Sequence, residues 1–99
     1  MYRLILSAAL VVAPLAAQAQ SKEESCGYQA QVVTAIQQAR LDKVKERDVA
    51  AAVAESGADW PENYNAAIPL IAPWVYEQKM QIIRDEDLGA VWNDLCLQQ

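Results

Sequence analysis

An all-α fold is predicted for this chain: a small bundle of four or five short helices closed by one disulfide between its N- and C-terminal parts. Three observations predict it. Leu88, Val91, Trp92, Leu95 and Cys96 recur at the i, i+3, i+4, i+7, i+8 spacing of one helix face. Capping residues stand at the heads of the helical runs, and no run alternates with the period of two that marks a strand. The two cysteines, Cys26 and Cys96, lie far apart near the two ends of the chain.

Residues 1–19 read as a secretory signal peptide. Arg3 supplies the positive start, Leu4 to Val12 is apolar apart from Ser7, and Ala17, Gln18 and Ala19 form a small-x-small cleavage pattern. The apolar run is too short to span a bilayer. Cys26 follows Glu23, Glu24 and Ser25 and does not adjoin the leader, which argues against a lipoprotein. Cleavage removes 19 of the 99 residues and leaves 20–99, or 80 residues, as a single helical domain. It also removes Arg3, one of eight basic residues against 13 acidic, so the net charge moves from −5 to −6. Export to the periplasm or beyond is expected. In that oxidising setting two cysteines admit a single pairing, Cys26 with Cys96. So small a core gains from such a staple.

The elements follow in order. Ser21, with Glu24 three residues later, is a capping-box pattern opening a helix over 22–44. Cys26, Ala30, Val33 and Val44 lie on one face. Tyr28, Val32, Ala35 and Ala39 lie on a second, with Ile36 between them and Gln31, Gln37 and Gln38 expected outside. The charged run 42–48 is expected to be a solvated connection. Asp48 is placed as the N-cap of a short helix over 49–56, with Gly57 just past its end. Val49, Ala52 and Val53 are expected to face inward.

Residues 60–76 hold four of the six aromatics that follow the leader and three of the four prolines. They are expected to be the segment around which the rest is arranged. Pro61 predicts the start of a short helix to about Ile68, and the chain should break near Ile68 and Pro69, because a residue before proline avoids the helical region. A further helix should begin near Pro69 or Pro73 and continue to about Arg84. Trp60, Tyr64, Ala67, Ile71 and Trp74 form a stripe at spacings of four, three, four and three. Asp85, Glu86 and Asp87 read as the cap and acidic first turn of a last helix running from about Glu86 to Leu97, whose buried face carries Cys96.

The same residues bound the chemistry. The chain has no histidine, which removes the commonest general base and the usual triad and zinc ligand. It also leaves no side chain with an ordinary pKa between about 5 and 8. Neither a phosphate-binding nor a nucleophile-elbow motif occurs. No catalytic residue, cofactor or metal is expected. Glu62 and Glu77, which flank the aromatic stretch, are the carboxylates that merit inspection. An acidic chain offers no footing for nucleic acid or anionic lipid, and it favours a basic partner.

The expected function is non-enzymatic: an exported protein-interaction module of the inhibitor, immunity or chaperone kind. Its candidate binding surface is Trp60, Tyr64, Trp74 and Tyr76. The alternative is a carrier holding a small apolar ligand in a cavity lined by those four residues. In outline (exported, helical, one disulfide) the chain is similar to the small periplasmic acid-stress chaperones of the HdeA type, and small periplasmic immunity or inhibitor proteins share that outline. Glu24, Ser25 and Cys26 do not match the tryptophan-threonine-cysteine opening of those chaperones, and the cysteine spacing is longer here. No family is assigned.

Overall fold

A computed structural model describes residues 21–56 and 59–99. The expected leader over 1–19 and Gly57 lie outside the described residues. The described residues form five α-helices: α1 (Lys22–Leu41), α2 (Val49–Ala54), α3 (Ile68–Glu77), α4 (Met80–Asp85) and α5 (Leu88–Leu97). Two 3-10 turns, Glu46–Asp48 and Glu62–Ala67, lead into α2 and α3. There is no strand among the described residues. Helix α1 packs against every other helix and against the turn before α3. The axis of the bundle is therefore α1, and the aromatic stretch is one of its walls.

Ser21 caps α1 as its sequence requires, its Oγ accepting the Glu24 N–H at 3.0 Å. Glu23 and Glu24 lie in the first turn and Arg40 in the last, each complementing the helix dipole. The helix ends at Leu41, three residues short of the expected 44. Lys43 adopts φ 67°, the Val44 N–H donates to the Ala39 carbonyl, and the Lys43 N–H donates to that of Arg40. That pair of bonds is a Schellman closure, a position usually held by glycine because a Cβ is disfavoured there. Lys43→Gly is therefore expected to stabilise the protein by about 0.5–1 kcal/mol, the relief exceeding glycine's added chain entropy. Urea unfolding measures it, and an unchanged or lower midpoint would contradict the assignment.

Val32, Val33 and Ile36 of α1 are fully buried, and they meet Val49 and Val53 of α2, Ile68, Ile71, Ala72 and Val75 of α3, Ile83 of α4 and Leu88 of α5. Trp60 joins this core, with its indole N–H donating to Asn65 Oδ1 at 2.8 Å.

Three local expectations are corrected. Asp48 stands at the N-cap of α2 as expected but makes no side-chain cap; it ends the 3-10 turn that carries the chain into α2. Gln37, expected outside, is buried. Its Nε2 donates to the carbonyls of Ile83 and Glu86, both at 2.7 Å, and its Oε1 accepts the Leu88 N–H at 3.2 Å. One amide thus satisfies the exposed backbone groups where α4 ends and α5 begins. The helix expected to run on to Arg84 stops at Glu77, with Gln78 and Lys79 extended before α4. Arg40 is the reason. Its Nη1 donates to the carbonyls of Val75, Tyr76 and Gln78 at 2.6–2.9 Å, so a cation from α1 takes two carbonyls of the last turn of α3 and that of the extended Gln78 beyond it.

The fourth correction concerns α5. It begins at Leu88 and not near Glu86: Asp85 still belongs to α4, and the cap is Asp87, its Oδ1 accepting the Ala90 N–H at 3.0 Å. Its buried face is not the expected stripe. Leu88 and Gly89 are buried, Trp92 and Cys96 are half-buried, and Val91 and Leu95 are exposed. A Cβ at Gly89 would collide with Thr34 Oγ1 and lie 2.9 Å from the Ala30 carbonyl oxygen. The backbone of α5 therefore approaches α1 at Gly89, and this contact turns Val91 and Leu95 outward.

Cys26 in the second turn of α1 and Cys96 in the last turn of α5 form the disulfide, with their Cα atoms 5.7 Å apart. It joins the two helices near the ends of the fold, not at the termini themselves. No described helix is long and apolar enough to cross a membrane.

Candidate functional site

The four aromatic residues singled out by sequence go to different places. Trp60 is 8 % exposed and belongs to the core. Tyr64 is half-buried, its ring 5.3 Å from that of Tyr28 and its hydroxyl donating to Ser25 Oγ at 3.1 Å. Trp74 is half-buried and tilts against Trp92 at 5.4 Å. The indole of Trp92 in turn donates to Gln29 Oε1 at 3.0 Å. Tyr76 donates to the Val44 carbonyl at 2.6 Å, with the Arg40 guanidinium over its ring at 5.5 Å. Burial raises the Tyr76 hydroxyl above its ordinary pKa; nearby Arg40 works against this and Glu46 with it. The side chains thus fasten α3 and its leading turn to α1 and α5.

The opposite side of the same stretch faces solvent. Ala66, Pro69, Leu70 and Pro73 are all exposed, at the i, i+3, i+4, i+7 spacing of a helix face. Leu70 is 80 % exposed, the most open large apolar side chain in the described fold. Glu62 and Glu77, both exposed, stand at the two ends of this apolar strip. The reason it faces outward is backbone chemistry. Pro73 lies inside α3 and has no N–H, so the Pro69 carbonyl loses its i+4 donor. Such a carbonyl is costly to bury and inexpensive to leave in water. The core face of α3, Ile68, Ile71, Ala72 and Val75, is the complement of the proline face.

A groove of about 490 Å³ runs beside the strip. Its lining is Glu46, Arg47, Val49, Ala50, Pro69 and Ala72, so α2 and the turn before it form one wall and α3 the other. A second cleft, of about 680 Å³, opens between the start of α1 and the end of α5. The disulfide, Gln29, Trp92 and Leu95 line it, with Lys22 at its rim. The Lys22 amine there meets the Gln99 backbone oxygen. No cluster of three potential metal ligands occurs among the described residues.

Sequence reasoning singled out the stretch 60–76 by its aromatics and did not single out Leu70, its most exposed large apolar residue. Residues 68–76 are almost wholly apolar, so hydrophobic periodicity does not say which side is out. The signal available was the pair Pro69 and Pro73, four apart and hence on one face.

Compared with known families, with curated proteins and with solved structures, the chain matches none. The reading of function rests on the geometry of its own surface.

Proposed function

We propose that this protein is an exported, non-enzymatic protein-interaction module that docks its partner on the outer face of α3. The observation that carries the reading is Leu70, 80 % exposed within the strip of Ala66, Pro69 and Pro73. A single exposed leucine is ordinary. A leucine set in a contiguous apolar strip, beside an apolar-floored groove, has the make-up of an interaction surface. Trp60, Tyr64, Trp74 and Tyr76 support this surface from behind by holding α3 in place.

Leu70→Asp is the test. The side chain packs on little, so the unfolding free energy should change by less than about 0.5 kcal/mol. The same change should abolish retention of a partner captured from an extract of the exporting cell, while Leu95→Asp should leave retention intact. Retention unaffected by Leu70→Asp would sink the proposal.

The cleft beside the disulfide supports a second reading, a carrier of a small apolar ligand. Its volume of about 680 Å³ suits such a ligand. Uptake of an apolar fluorophore that is lost in Leu95→Asp and kept in Leu70→Asp would favour this reading.

A further inference from the structure

We infer that the occupant of the α3 face is a cationic amphipathic helix of a partner protein, which sets one large apolar side chain into the groove between α2 and α3. This rests on the docking surface proposed above and adds the chemistry of what docks. The first argument is charge. Glu62 and Glu77 bracket the apolar strip, and Glu46 stands on the groove rim with one cation, Arg47. A second copy of this chain would bring the same carboxylates against one another, whereas a helix with Lys or Arg in its first and last turns would meet them with opposite charge.

The second argument is shape. Leu70 is a ridge, and the groove beside it is floored by Val49, Ala50, Pro69 and Ala72. A volume of about 490 Å³ admits one large side chain with room to spare. A ridge beside a groove matches a helix that offers a large residue and a small residue one turn apart. The strip from Glu62 to Glu77 extends at most roughly 25 Å along its axis, the length of about 17 helical residues.

The experiment uses two synthetic helical peptides of about 17 residues. Both carry the same Leu and Trp stripe; one has Lys and Arg in its end turns, and the other has Glu at those positions. Amide NMR titration of the oxidised protein locates binding, and fluorescence anisotropy gives affinity. The basic peptide should perturb Leu70, Ala50 and Ala72 and bind at least about tenfold tighter than the acidic one. Raising salt from about 20 to about 300 mM should weaken it. The double change Glu62→Gln with Glu77→Gln should cost roughly fivefold, and Leu70→Asp should abolish binding.

Equal affinity for the two peptides, or perturbation centred away from Leu70, overturns the inference. Binding lost in Leu70→Asp but unchanged by the glutamate changes leaves α3 as the docking face and overturns the cationic partner. Binding sensitive to neither overturns both readings. A Leu70-dependent dimer of the protein alone, seen by sedimentation, overturns the inference in favour of a second copy.

Discussion

Cys26→Ser or Cys96→Ser is expected to lower the unfolding free energy by about 2–5 kcal/mol, and to lower the melting temperature by roughly 10 °C or more. The bridge closes a loop with a sequence separation of 70. In the chain-entropy account, closing so long a loop in the unfolded state is worth roughly 4 kcal/mol. The folded state adds a second reason. The disulfide ties α1 to α5 at the end opposite to Gly89, so its loss leaves α5 held by Leu88, Gly89 and the Trp92 contacts. Both serines together should cost about as much as one, because the first already removes the bond. Calorimetry of the three variants, with wild-type protein in reductant as the control, measures this. Full labelling of the unreduced wild type by a thiol reagent would overturn it.

Trp60→Ala is expected to cost about 3–5 kcal/mol, the range for emptying a buried large aromatic site. Trp60 is 8 % exposed, packs in the shared core, and gives its indole N–H to Asn65. The change removes the ring and, with it, the donor to the half-buried Asn65 amide oxygen. Trp74 and Trp92 are half-buried and lean on each other, so each alanine variant should cost less, about 1.5–3 kcal/mol. Urea unfolding of the three variants beside Leu70→Asp orders them. A Trp60→Ala protein as stable as Leu70→Asp would show that the indole is no part of the core.

Those two residues also mark how far the sequence carries. The helical class, the pairing of the cysteines and the cap at Ser21 are all local or combinatorial facts. A hydroxyl three residues before a helical N–H forms its bond wherever the helix lies, and two cysteines have one possible pairing. Each of these could be read before any packing was known. The candidate site was half legible. The stretch 60–76 stands out by its aromatics and prolines, but its orientation does not, since nearly every residue of α3 is apolar.

What the tertiary structure alone decided is which side of each helix faces the core and where two helices end. Gly89 lets α5 approach α1 closely, and that contact turns Val91 and Leu95 to solvent against their own periodicity. Arg40, from a helix more than thirty residues earlier, stops α3 at Glu77. Gln37 enters the interior because the α4–α5 junction offers it two carbonyls and an N–H. In each case the deciding partner is distant in sequence, so no local pattern could announce it. Leu70 is the outcome on which the proposed docking surface rests: its exposure follows from proline backbone chemistry on one side of α3 and a filled core on the other, and only the fold shows both at once.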